Sequence, residues 1–146
     1  MAQETPQNFE NHARIVPAYH YGGFGIFAIN LLWSLYRVVR SFSAESVLAL
    51  LLAVAFLILF FHARIFALTV QDRVIRLEMT LRLERLLPED LRPRIKDFTV
   101  GQLVSLRFAS DEELPDLARK VLAENLTDRK VIKKMIRNWQ PDYLRA

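Results

Sequence analysis

The sequence predicts an all-α protein: a transmembrane helical hairpin whose second helix extends into a small cytoplasmic helical domain. Residues 44–87 contain neither Pro nor Gly, the two residues that most often interrupt helices. Within them, Ser46–Phe61 reads SVLALLLAVAFLILFF and carries no charged side chain. An earlier run, Pro17–Val39, is nearly as apolar. If residues 44–87 are helical throughout, the helix is about 66 Å long, roughly twice the hydrocarbon thickness of a bilayer.

The first span is expected over Pro17–Val39. Its proline fits the first turn of a helix, and the uncharged run that follows is long enough to cross a bilayer. Gly23, Asn30 and Ser34 fall on one face of this helix, together with Phe27. Small or hydrogen-bonding residues on one face let transmembrane helices approach each other closely. We therefore expect this face to pack on the second helix of the same chain.

A short connection then leads into the second span, with Ser43 as the expected N-cap. So short a link forces an antiparallel hairpin with both of its ends on the same side of the membrane. Ala49 and Ala53 provide the small-residue spacing that would receive the first helix. Arginines are more numerous at the outer ends of the two spans than in the connection, which favours a cytoplasmic location for both termini.

Past the second span, two apolar stripes follow the same helix. One stripe has heptad-like spacing and comprises Ala67, Val70, Val74, Leu77 and Leu81; the other comprises Ile75, Met79, Leu83 and Leu86. Residues 76–84, RLEMTLRLE, also alternate as a strand would, but nothing breaks the chain before Pro88, so helix is preferred. Two stripes need two partners. We expect the chain's own C-terminal helices to cover one and another protein to cover the other.

The C-terminal region is predicted to form short helices folded back on the long one. They are expected at Val100–Phe108 with Thr99 as cap, at Asp111–Asn125 behind a capping box that starts at Ser110, and at Asp128–Trp139 with Thr127 as cap. The domain boundaries that follow are an N-terminal interfacial segment at 1–16, the hairpin at 17–66 and the helical domain at 67–146. Phe9, Ile15 and Val16 are expected at the membrane interface, and the polar start of the chain does not resemble a secretory signal peptide.

Charge and composition limit the partners. Nearly all of the 20 Lys and Arg residues lie from Arg64 onward, and the net charge is +4. This surplus suits contact with anionic headgroups, through Arg64, Arg73, Lys133 and Lys134, but it is too diluted by acidic residues to indicate nucleic acid. The chain has no Cys, which excludes disulfides, thiol catalysis and thiolate metal sites.

Two histidines are candidate ligands. His20 begins the first span and His62 ends the second, so an antiparallel hairpin brings both to the same membrane face. Paired neutral imidazoles in a membrane can ligate haem iron or another metal or pigment. The alternative is that both rings lie at headgroup level and bond to water or backbone. The acidic run Asp111–Glu113 suits the first turn of a helix, and the sequence contains no phosphate-binding loop and no nucleophile elbow.

Two stretches resemble an uncharacterised family of small bacterial two-span membrane proteins. Gln7–His20, QNFENHARIVPAYH, is similar to the N-terminal signature of that family, QNFxNHxRxVPxxH, and residues 106–146 are similar to its C-terminal block. The resemblance implies a bacterial inner-membrane protein and provides no catalytic residue.

The sequence therefore predicts a non-enzymatic accessory or assembly subunit of a larger bacterial membrane complex, for example respiratory, photosynthetic or transport machinery. Its partners would be the lipid bilayer and other integral membrane subunits. One alternative is a cofactor-binding membrane protein that uses His20 and His62. Another is a membrane-tethered regulatory module whose C-terminal domain binds a soluble partner.

Overall fold

A computed structural model describes residues 7–11 and 15–143 and is helical, with no strand in the part of the chain it describes. The helices are α1 (Ala18–Arg40), α2 (Ala44–Leu86), α3 (Val100–Leu106), α4 (Leu114–Ala123) and α5 (Arg129–Lys134), and a 3₁₀ segment spans Arg92–Asp97. They fall into two compact units, Ile15–Leu68 and a C-terminal unit formed by the described residues among 7–11 and 69–143. These observations confirm the all-α prediction.

The unit Ile15–Leu68 is an α-helical hairpin with one irregular turn. Helix α1 begins with a π-helical segment, Ala18–Gly23, and becomes α-helical from Phe24. The widened turn follows Pro17, which lacks an amide hydrogen. After α1 ends at Arg40, Ser43 caps α2: its hydroxyl oxygen accepts from the amide of Ser46 at 3.1 Å, as predicted.

The core of the C-terminal unit is built on one stripe of α2. Ile75, Met79 and Leu83 are buried, and they pack with buried residues of the later segments: Leu87, Leu91, Phe98, Leu103, Leu106, Phe108, Leu114, Val121 and Ile132. Residues 76–84 are helical, so the strand alternative for RLEMTLRLE is excluded. Because helix rather than strand geometry governs these residues, every third or fourth side chain meets the core.

The start signals of the C-terminal helices were only partly predicted. Thr99 caps α3 in a capping box with Gln102, as expected. The predicted capping box at Ser110 is wrong: Asp111–Glu113 form a turn and α4 begins at Leu114. For α5 the cap is Asp128, whose carboxylate accepts from the amide of Lys130 at 2.7 Å, and not Thr127. This helix ends at Lys134, five residues before the predicted end.

Beyond α5, the chain becomes extended and pairs with the residues that follow α3. Ala109 and Trp139 form an isolated antiparallel bridge, in which the amide of Gln140 donates to the carbonyl of Phe108 at 2.7 Å. The Trp139 ring lies 4.8 Å from that of Phe108. Trp139 is therefore extended and cannot be the last residue of α5, the role that the sequence predicted for it.

Residues 7–11 lie in the C-terminal unit and do not form a separate segment. The side-chain amide of Gln7 makes two hydrogen bonds with the backbone of Asp142, and Lys134 lies 5.6 Å from the ring centre of Phe9. The Phe9 ring therefore has a partner within the C-terminal unit, and its position at a membrane interface stays a prediction. Met1–Pro6 and His12–Arg14 lie outside the described residues.

Candidate functional site

The inner face of the hairpin is made of small residues and aromatic rings. Ser34 on α1 and Ala53 on α2 are 4% and 2% exposed, so both small side chains are buried within the hairpin. Ala49 is half-buried. Phe27 lies 5.8 Å from Phe56 by ring centres, in a stacked arrangement. Close approach of two helices requires such small side chains, and the rings fill the space beside them.

Gly23 lies where α1 meets Phe60. A Cβ atom built on Gly23 would stand 3.1 Å from the Phe60 ring, which is closer than ordinary van der Waals contact. That ring is stacked on Tyr19 at 4.2 Å, and the Tyr19 hydroxyl donates to the Phe60 carbonyl. The absence of a side chain at 23 therefore permits the stacked pair at this end of the hairpin.

Asn30 does not belong to this inner face. Its side chain is exposed, and no described residue donates to it or accepts from it. Helical geometry explains the difference from the prediction. The less exposed residues Phe27, Leu31 and Ser34 form a line along the helix, and Asn30 lies beside that line. An exposed polar amide thus lies near the middle of an apolar helix, beside the contact between the two helices.

The two predicted ligand histidines each lie close to the backbone carbonyl four residues before them. Nδ1 of His20 lies 3.0 Å from the carbonyl oxygen of Val16, and Nδ1 of His62 lies 2.9 Å from that of Ile58. The amide of Val16 also lies 3.1 Å from Nδ1 of His20, so the two contacts of that nitrogen imply opposite tautomers. Where Nδ1 carries the proton, as donation to the Ile58 carbonyl requires of His62, the lone pair of the ring is on Nε2 and can bind a metal. No group of three or more potential metal ligands occurs among residues 7–11 and 15–143. Haem or pigment binding by this pair stays a prediction.

The two predicted stripes of α2 have different surroundings. The stripe with Ile75, Met79 and Leu83 is buried in the C-terminal unit. The other stripe is exposed: Val70, Val74, Leu77 and Leu81 keep 61%, 49%, 62% and 58% of their accessible surface. One partner of the long helix is thus the chain's own C-terminal region, and none of the residues that the structure describes covers the second stripe.

Arg82 is the centre of a polar network that the sequence did not reveal. Its guanidinium donates to the carboxylate of Asp111 at 2.7 Å and to the side-chain oxygen of Gln140 at 2.8 Å. It also donates to the backbone carbonyls of Arg107 at 3.1 Å and Ala109 at 2.6 Å. Three of the four acceptors lie within residues 107–111, and the fourth is Gln140. The Arg82 side chain therefore connects α2 to both of the paired extended segments.

A cleft of about 380 Å³ adjoins this network and is lined by Glu78, Met79, Arg82, Arg107 and the segment 140–143. Arg107 pairs with Asp142 at 3.4 Å and lies 4.6 Å from the ring centre of Phe108. Both arginines of the cleft therefore already have partners in the protein, and their charge serves the packing of the C-terminal segment.

The acidic run that precedes α4 has structural roles. Asp111 pairs with Arg82 and Arg85, and the Glu113 carboxylate accepts from the amides of Arg137 and Asn138 at 3.1 and 3.2 Å. The pKa of the exposed Glu112 is lowered, chiefly by the Ser110 hydroxyl. These contacts explain why Glu113 ends a turn and does not complete the predicted capping box.

The basic residues proposed for headgroups differ in availability. Lys133 is half-buried and lies 5.2 Å from the ring centre of Phe108, so it packs within the C-terminal unit. Lys134 and Arg73 are exposed, and Arg64 is half-buried. Headgroup contact by these four residues stays a prediction.

These features define a class: a protein that is helical over its described residues and has two helices, Ala18–Arg40 and Ala44–Leu86, long and apolar enough to cross a membrane. The chain belongs to a family of unknown function (DUF6526), whose model matches residues 1–146. No curated protein and no solved structure matches the chain. The predicted membership in an uncharacterised family is therefore confirmed. The N-terminal signature and the bacterial origin stay predictions.

Proposed function

We propose that this chain is a membrane-anchored, non-enzymatic accessory subunit of a larger bacterial inner-membrane complex. The hairpin α1–α2 is its anchor. Only 6% and 11% of the most apolar stretches of the two helices are buried within the protein, whereas the core helix of a soluble protein is mostly buried. Lipid is the environment in which so much exposed apolar surface is stable.

Asn30 is the observation that carries the assignment to a complex. In a bilayer, its amide would lie near the middle of the span, where no water is present to satisfy it. Intramembrane polar residues generally face a partner helix or a cavity. Since the hairpin itself offers Asn30 no hydrogen bond, a second membrane protein is the expected partner. A hydrogen bond from Asn30 to that partner would contribute about 0.6 to 2 kcal/mol to helix association, or roughly threefold to thirtyfold in affinity.

The anchor also suggests an orientation. Arg64, Arg73 and Arg76 lie beyond the second span, and Arg37 and Arg40 lie at the connection. The positive-inside preference then assigns both termini and the C-terminal unit to the cytoplasm.

The test is mild solubilisation of native membranes, followed by native electrophoresis and mass spectrometry of the band that contains the chain. We expect migration with other integral membrane proteins, and we expect Asn30→Leu to release at least half of the chain from that band. Ile29→Leu is the matched control, because Ile29 is the exposed neighbour on the same helix and offers no hydrogen bond. Migration as a single free chain at the mildest detergent concentration would refute the proposal.

A further inference from the structure

The exposed stripe of α2 has the spacing of a coiled-coil seam. Val70, Val74, Leu77 and Leu81 are separated by four, three and four residues, so they keep to one side of the helix. This side is nearly opposite to the stripe of Ile75 and Met79 that the C-terminal unit covers. A second helix can therefore approach the seam without displacing the core.

The central pair of the seam has the residues that a parallel two-stranded coiled coil prefers. In heptad terms Val74 and Leu81 occupy a positions, and Val70 and Leu77 occupy d positions. A β-branched residue at a followed by Leu at d, as in Val74 and Leu77, is the combination that parallel two-stranded coiled coils prefer.

The charges beside the seam complement each other between two copies. Arg73 occupies a g position and Glu78 the e position of the next heptad, and both are exposed. In a parallel dimer, g of one helix faces that e position on the other, so Arg73 meets Glu78 of the second copy twice by symmetry. In an antiparallel dimer, g would face g and e would face e. Arg73 would then lie opposite Arg73 and Glu78 opposite Glu78, and these like charges would repel. Neither residue forms an ion pair with any described residue of its own chain.

We propose that the exposed stripe, residues 70–81, binds a second copy of this chain as a short parallel coiled coil. The inference rests on the proposed membrane anchor, because two copies inserted in the same orientation necessarily run parallel. Two heptads are marginal for association in free solution. Confinement to one membrane raises the effective concentration of the second copy, which compensates for the short seam.

Cysteine cross-linking tests this pairing, since the chain has no native Cys. In oxidised native membranes, Leu77→Cys should form a disulfide-linked dimer, because d positions meet their own copies across a parallel seam. Arg76→Cys is the control: it is the exposed neighbour, turned about 100° away. We expect at least fivefold more dimer from Leu77→Cys. Val70→Cys, at the other d position, serves as a second seam variant should Leu77→Cys fail to accumulate.

A charge exchange tests the register. In the Leu77→Cys background, Arg73→Glu should lower the dimer yield about threefold or more, and adding Glu78→Arg should restore it. Equal cross-linking of the seam and control variants would overturn the proposal, and so would the absence of rescue by the double exchange. A cross-link to a different protein instead of a second copy would also overturn it.

Alkaline carbonate extraction of the same membranes separates this inference from the proposed anchor. If the chain stays in the membrane pellet and the seam variants give no more dimer than the control, the self-association is refuted and the anchor stands. If the chain is extracted, the anchor is refuted, and with it the parallel pairing that depends on it.

Discussion

Replacement of Arg82 by Met tests whether the polar network holds the C-terminal unit together. The guanidinium, with its side chain only 15% exposed, donates to two backbone carbonyls and to the carboxylate of Asp111. Methionine keeps much of the apolar stem but removes every donor. Arg85→Met is the matched control. Arg85 reaches the same carboxylate at 3.4 Å from a side chain that is 70% exposed.

The magnitude follows from the acceptors that lose their donor. Ala109 is fully buried, so its carbonyl would lose a charge-assisted hydrogen bond with no water to replace it, at a cost of about 1.5–3 kcal/mol. The Arg107 carbonyl adds a smaller amount, and the half-exposed Asp111 pair adds at most about 1 kcal/mol. Since these contributions are not additive, we expect Arg82→Met to lower the free energy of unfolding by about 2–4 kcal/mol. Arg85→Met should cost about 0.5 kcal/mol or less.

The assay is urea unfolding of the full-length chain in detergent, followed by Trp fluorescence. Trp33→Phe leaves Trp139 as the single reporter, and its ring packs on Phe108 within the C-terminal unit. With a urea dependence near 1–3 kcal/mol per molar, the midpoint should fall by roughly 1–3 M in the Arg82 variant. Equal midpoints for the Arg82 and Arg85 variants would show that the network does not stabilise this unit.

Two further substitutions test local packing. Gly23→Ala adds a methyl group 3.1 Å from the Phe60 ring, whereas Gly22→Ala adds one with no atom within 4 Å. Because both variants gain helix propensity, the thermal midpoint of the helical circular dichroism signal in detergent should be several degrees lower for Gly23→Ala than for Gly22→Ala; equal midpoints would contradict the close contact. Thr99→Ala removes the side-chain acceptor of the Gln102 amide and should lower the free energy of unfolding by about 0.5–2 kcal/mol in the urea assay. Thr99→Ser, which retains the hydroxyl, should stay within a few tenths of a kcal/mol of the parent, and a loss equal to that of Thr99→Ala would argue against the cap.

The long helix could be predicted because its determinants are local. The absence of Pro and Gly over residues 44–87 and the spacing of Ile75, Met79 and Leu83 require no knowledge of the rest of the chain. The same holds for the Thr99 cap, in which donor and acceptor are three residues apart. When the donor and the acceptor of a hydrogen bond lie within one helical turn, both can be recognised from a short stretch of sequence.

The Arg82 network and the start of α4 were not predictable in this way. The spacing of four residues between Glu78 and Arg82 is that of an ion pair on one helix. The partners of Arg82 instead lie 25 to 58 positions further along the chain. Glu113 suits a capping box, but the amides of Arg137 and Asn138 use its carboxylate instead. In both cases a tertiary donor or acceptor competes with the local one, and only the folded chain shows which prevails.

The charges on α2 decide what can cover its exposed stripe. If residues 70–81 lay in the bilayer core, Asp72, Arg73 and Arg76 would be carried into hydrocarbon at about 2.5–3.5 kcal/mol each at the centre. That cost exceeds the free energy gained by burying four partly exposed apolar side chains in lipid. A protein partner would remove the same apolar surface from water without burying these charges in hydrocarbon. Water, for its part, does not favour a continuous apolar stripe on a soluble surface. A helix of a partner protein covers the stripe and leaves the neighbouring charges in contact with water, and the positions of Arg73 and Glu78 favour a second copy of the same helix.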